Sequence, residues 1–121
     1  MAISVRRLWE RAGRRMGLPA NSASATQDFI SAVNDTLSDM QTRVGTDEES
    51  VDKLADEIDL DSQYEPCIFA GILSVLANTG YKAQSEEVNF YRLYIETAKT
   101  AQMYRMKEDD VQGKFGGATE L

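Results

Sequence analysis

Histidine is missing altogether from this 121-residue chain, and its absence removes the commonest general base and the commonest imidazole metal ligand. Only one cysteine is present, Cys67, so no disulfide can close within the chain, and the composition suits a reducing compartment. Long apolar runs are lacking too. The densest stretch, Cys67 to Ala77, is eleven residues long, well short of the roughly 20 that cross a bilayer. The arginine-rich start, MAISVRRLWERAGRRMG, is not followed by the apolar core of a secretory signal. It is amphipathic in the manner of a mitochondrial presequence, but Glu10 and the stop at Gly17-Leu18-Pro19 favour a folded helix. These absences predict a protein that is not an enzyme, with no catalytic residues, no cofactor, no metal site and no membrane partner.

What is present is charge, unevenly spread. The net charge of −7 argues against general affinity for nucleic acid, which comes from neutralising phosphates. Arg6, Arg7, Arg11, Arg14 and Arg15 against Glu10 alone give residues 1–20 a charge of +4. Nine carboxylates, from Asp47, Glu48, Glu49 and Asp52 through to Glu65, against Lys53 alone give residues 47–65 a charge of −8. Such polarity suits regions that attract each other, within one chain or between copies. Two solvated faces are the simpler alternative.

At this length the chain is expected to form a single domain. The spacing predicts a helical core over residues 1–108 and a flexible arm over 109–121. Ser4 is placed to cap a first helix, with Ile3 and Leu8 as a hydrophobic staple and Val5, Leu8, Trp9, Ala12 and Met16 on its apolar stripe. Ser24 with Gln27 offers the next capping box, followed by a stripe of Phe29, Ile30, Val33, Leu37, Met40 and Val44 that Gly45 closes. Asn34, Asp35, Ser38 and Asp39 fall on its wet face; Asp35 and Asp39 alone make a poor metal site. Thr46 with Glu49 predicts a short acidic helix from Asp47 to Asp56. The acidic residues that follow lack the central glycine and twelfth-position glutamate of a calcium loop.

The segment Ile58–Gly80 organises the rest. Ser62 and Glu65 have the form of a capping box, Pro66 is tolerated only in an opening turn, and Asn78-Thr79-Gly80 supplies a left-handed stop. Between them Cys67, Ile68, Phe69, Ala70, Ile72, Leu73, Val75, Leu76 and Ala77 leave almost no polar face. A helix apolar all round is expected to be wrapped all round, with Cys67 packing as a small apolar residue. Ser85, Glu86 and Glu87 suit the start of a last long helix carrying Phe90, Tyr91, Tyr94, Ile95, Ala98, Ala101 and Tyr104. Ala98 and Ala101 permit close approach to the central helix, and Arg105 and Lys107 suit its C-terminal end. Tyr81, Tyr91, Tyr94 and Tyr104 read as a core edge with wet hydroxyls rather than a base-stacking surface. From Asp109 the periodicity fails among three glycines, leaving Lys114, Phe115 and Leu121 as the contacts of an arm that orders on a partner, or as part of a disordered end.

The fold class expected is all-α: about four main helices around a buried central one, plus the short acidic helix and an extended C-terminal arm. This order of signals resembles the small head-to-tail connector, or adaptor, proteins of tailed bacteriophages. Phe29-Ile30-Ser31-Ala32-Val33-Asn34-Asp35-Thr36-Leu37 looks like that family's second helix. Ile58-Asp59-Leu60-Asp61-Ser62-Gln63-Tyr64-Glu65-Pro66 looks like its entry into the central helix, and Ser85 to Met103 looks like its last helix. These are patterns of residue types, less specific than a metal or phosphate signature. The acidic helix departs from them, since relatives often have an extended or hairpin segment there.

The resemblance implies a structural protein of the virion neck, made in the host cytoplasm. Copies would form a ring beneath the portal protein, commonly of twelve, and join it to a distal tail or stopper protein. DNA would pass through the channel without specific binding. The subunit interface is expected to use Arg6, Arg7, Arg11, Arg14 and Arg15 against Asp47, Glu48, Glu49 and Asp52, and the portal-binding arm Lys114, Phe115 and Leu121. The competing reading is a small DNA-binding regulatory domain using the arginine-rich first helix, and a carboxylate enzyme holding magnesium near Asp59 and Asp61 comes third.

Overall fold

The computed structural model describes residues 2–81 and 89–117, with side chains as far as Glu108. Four helices carry the fold: α1 (Val5–Met16), α2 (Ala23–Arg43), α3 (Glu65–Asn78) and α4 (Phe90–Gly117). A two-residue strand β1 (Ile3–Ser4) pairs antiparallel with β2 (Glu57–Ile58), opposing Ile3 to Ile58 and Ser4 to Glu57. The chain is a small all-α bundle, in which a minimal sheet ties the start of α1 to the segment that leads into α3.

Local chemistry sets most boundaries. Ser4 adopts extended backbone and its hydroxyl accepts from Arg7 N–H, starting α1; Gly17 ends it at φ 66°, a left-handed conformation costly for any residue with a Cβ. Helix α2 starts two residues before the expected Ser24. The Ser22 hydroxyl accepts from Ala25 N–H, leaving the Ser24 hydroxyl only a bond to that of Ser22. The box expected of Ser62 and Glu65 does not form either. Asp61 caps a single 3-10 turn, Ser62–Tyr64, that leads into α3, while the Glu65 carboxylate faces α1. Gly80, at φ 107°, gives the expected stop after α3. Asn89 caps α4 by accepting from Arg92 N–H; Ser85, the expected cap, lies outside the described residues.

Two expected features are replaced. Residues 47–56 form no helix; the chain runs there as a loop with a turn before β2. An isolated helix of about ten residues is marginal in water, and a tertiary contact decides the matter. Asn34 of α2 donates to the Val51 carbonyl at 2.9 Å and accepts from its N–H at 2.8 Å, consuming backbone groups a helix would need. Asn34 is thus half-buried and structural rather than solvated. The second correction lies at the C-terminus. Helix α4 does not stop near Asp109 but runs to Gly117, so Arg105 and Lys107 are mid-helical and Lys114 and Phe115 stand on helical backbone. One internal glycine costs a helix only about 1 kcal/mol, too little to break it at Gly113. The side chains of Lys114 and Phe115, and all of Leu121, lie outside the described residues.

The core is continuous. Val5, Leu8, Trp9 and Ala12 of α1, Phe29, Val33, Leu37 and Met40 of α2, and Phe90, Tyr94, Ala98 and Ala101 of α4 all pack around α3. Trp9 is an anchor as expected, meeting Phe29 edge-on with ring centroids 5.3 Å apart. Contacts fix the directions. Asp28 meets Tyr81 and Asp39 meets Tyr94, while Tyr64, just before α3, meets Glu108, so α2 and α4 both run antiparallel to α3. Arg11 meets both Glu65 and Phe69, so α1 passes beside the first turns of α3.

Candidate functional site

The five N-terminal arginines share one helix but not one task. Arg11 binds the Glu65 carboxylate at 2.6 Å and lies over the Phe69 ring, 4.2 Å from its centroid. Arg7 reaches the same carboxylate oxygen at 3.5 Å. Glu65 is only 14 % exposed at its side chain, so it is a partly buried charge that needs these partners. Arg15 lies over Phe90, 5.6 Å from the centroid, with its Nε enclosed and lacking a hydrogen-bond acceptor. Arg6 and Arg14 are exposed.

Among the described residues, none of these arginines is ion-paired with Asp47, Glu48, Glu49 or Asp52. The acidic loop holds itself together instead. Glu48 accepts from Asp59 N–H, Asp56 accepts from the N–H groups of Asp52 and Lys53, and Gln41 donates to the Glu48 carbonyl. Those two backbone bonds outweigh the small desolvation of Asp56 and hold its carboxyl below the usual range. Asp47, Glu49, Asp52, Glu57 and Asp59 are exposed. No group of three or more carboxylate or thiol side chains gathers to hold a metal among the described residues.

Two hollows flank α3. The first, about 220 Å³, lies between α2, α3 and α4 and is bordered by Asp35, Asp39, Arg43, Ser74, Asn78 and Tyr91. Its floor is a polar clasp: the Tyr94 hydroxyl donates to Asp39 at 2.5 Å and Arg43 Nε donates to the same oxygen at 2.9 Å. Burial by itself would raise the Asp39 carboxyl, but those two bonds outweigh it and hold the group below its ordinary range. Burial and the adjoining carboxylate push the Tyr94 phenol strongly upward. Asp39 therefore accepts structural bonds while its side chain stays 43 % exposed, on the wet face as expected. Tyr81 likewise gives its hydroxyl to Asp28 at an exposed position, and Tyr64 gives its own to Glu108 in a partly buried one, so both hydroxyls are paired with carboxylates. Tyr91 is 56 % exposed, and Tyr104 stands edge-on to Tyr64 with centroids 5.3 Å apart.

The second hollow, about 300 Å³, is a groove between α1 and α4 whose floor is α3. Phe69 and Leu73 form the floor, Arg11 and Arg15 one rim, and Leu93 and Thr97 the other. Here the central helix is not wrapped as expected: Phe69 is only partly buried and Pro66 is exposed. The guanidinium groups of Arg11 and Arg15 cover apolar surface here while keeping their charge at the edge. The arginine-and-aromatic arrangement was hidden in the sequence because Phe69 and Phe90 belong to helices remote from α1. Cys67 is enclosed, and its burial pushes the thiol up to about 11.

Family models, curated proteins and solved structures give no match to this chain. Its function must be read from the surfaces themselves.

Proposed function

We propose that the chain is a structural connector of a virion neck: a helical subunit that packs with copies of itself into a ring, binds a portal protein on one side and a tail or stopper protein on the other, and leaves a central channel for DNA. The observation that carries this reading is the separation of opposite charge on the folded chain. The acidic loop lies at the β1 end of α1, whereas Arg14 and Arg15 lie at the other end, about 15 Å away at 1.5 Å per residue. Arg6 and Arg7 stand at the acidic end as well, so the separation is carried by the exposed loop carboxylates and the far-end arginines, which suits a contact in which each copy meets the next through different faces. A further support is that residues 47–56 form no helix, in a place where the connector family that the sequence resembles often has an extended or hairpin segment.

The engagement of the arginines weighs against the DNA-binding alternative. Arg7 and Arg11 share the single Glu65 carboxylate, and Arg11 and Arg15 lie on aromatic rings, leaving fewer free cations for phosphates. Light scattering of the full chain, alone and mixed with a portal ring, tests the proposal. A complex heavier than the portal alone is expected. A chain that leaves the mass of every portal unchanged, and that instead retains DNA on a filter at moderate salt, would overturn it.

A further inference from the structure

We infer that the groove between α1 and α4 receives the acidic loop, residues 46–56, of a second copy of this chain. The inference rests on the reading of the protein as one that self-assembles, and adds which surfaces meet. Four features of the groove and loop support it. The groove joins an apolar floor, Phe69 and Leu73, to a cationic rim, Arg11 and Arg15. One rim group is unfinished: among the described residues Arg15 Nε has no acceptor, and a carboxylate that draws the guanidinium toward the groove would supply one. On the other side, the loop presents Asp47, Glu49 and Asp52 to solvent, and no described lysine or arginine pairs with them. The loop is also held in shape beforehand, by Asn34 on Val51, Gln41 on the Glu48 carbonyl and Glu48 on Asp59 N–H, so docking would order little further chain.

The loop is pinned to α2, and no α2 residue lines the groove, so the two surfaces occupy different parts of the molecule. Where each subunit offers its loop to one neighbour and its groove to another, the contact is heterologous and propagates into a ring or a filament; a reciprocal exchange between two copies would close a two-fold dimer instead.

Mixed crosslinking tests this. Leu93→Cys on the groove rim is placed in one full-length chain and Glu49→Cys on the loop in another; both keep Cys67, whose enclosed thiol is the internal negative control. The mixture, at high protein concentration and low salt with a short thiol-to-thiol crosslinker, is expected to give a Leu93→Cys to Glu49→Cys product that neither chain gives alone. That product should vanish in high salt, because the pairing is electrostatic. It should fall at least tenfold with Arg15→Gln, stay unchanged with Lys99→Gln, an exposed cation outside the groove, and return when Arg15→Glu is combined with Glu49→Lys in chains crosslinked through Asp52→Cys. Oligomers seen by light scattering without this product would overturn the groove contact and leave self-assembly standing. A chain that remains monomeric and uncrosslinked would overturn the groove contact, while portal binding is judged by its own mass measurement.

Discussion

The two flanks of α3 are built from the same apolar helix yet end in opposite states. Against α2 and Tyr94 of α4 the helix is closely packed around Gly71, beside the hollow of about 220 Å³ that the polar clasp floors. Gly71 sits so tightly that an added Cβ would collide with the Thr36 methyl and lie 2.9 Å from Thr36 Oγ1 and 3.0 Å from Tyr94 Cδ1. Against α1 the helix is left open along Phe69, and arginines take the place of packing. Closure here follows from the neighbours and not from the hydrophobicity of the helix itself. Small residues, Gly71 and Ala98, let helices touch on one flank, whereas on the other the gap is spanned by long charged side chains. A face left open at low cost is one available to a partner.

The largest expected effect compares truncations on the two flanks. Ile72→Ala, at a fully enclosed position, is expected to cost about 2–5 kcal/mol, because the cavity cannot collapse. Phe69→Ala on the open flank is expected to cost about 1–2 kcal/mol, from a partly exposed ring and its cation contact. Urea unfolding of both variants decides this; equal losses would mean that the flanks do not differ.

Gly71→Ala comes next, at about 1–3 kcal/mol, through overlap with a threonine that cannot swing aside while its hydroxyl donates to the Ala32 carbonyl at 2.8 Å. Thr36→Ala should be less than additive with it in a double-mutant cycle. Strict additivity would show that the close approach is not where the strain falls.

The polar clasp on the closed flank should report on pH. The Tyr94 phenol is raised from its ordinary value of 10.0, so its contribution is fully present below pH 10 and is lost as pH rises beyond it. The Asp39 carboxyl is lowered from 3.8, so its contribution is present above about pH 4 and is lost on acidification. Tyr94→Phe should therefore be less stable than the parent at pH 7, with the difference shrinking above pH 10. A constant difference across that range would remove Tyr94 from the alkaline transition.

The smallest effect concerns Thr46, which is 4 % exposed with a buried hydroxyl that has no partner. Thr46→Val keeps the branched shape and removes the unpaired group, and a gain of about 1 kcal/mol is expected in thermal melts. A loss would mean that the hydroxyl is bonded in solution.

The parts of the fold that the sequence made legible are those decided within one turn of chain. Ser4, Gly17 and Gly80 act where local backbone chemistry alone fixes the outcome. The central position of Ile58–Gly80 was legible because an apolar helix has few other places to go. What escaped was decided across distance. Asn34 turned a predicted acidic helix into a pinned loop, Arg11 drew Glu65 out of its capping box, and Gly71 marked the close crossing. The charge asymmetry was visible in the composition, but the groove that gives it a seat needed Phe69 and Phe90 to be brought beneath α1.

The most direct test of the two-flank account is the rate at which native protein reacts with a thiol reagent. Cys67 on the closed flank is compared with a cysteine placed by Phe69→Cys on the open flank in a Cys67→Ala background. The account predicts that Phe69→Cys reacts promptly in the folded protein and that Cys67 reacts only as fast as the protein unfolds. Protection of Phe69→Cys equal to that of Cys67, or prompt labelling of Cys67, would contradict it.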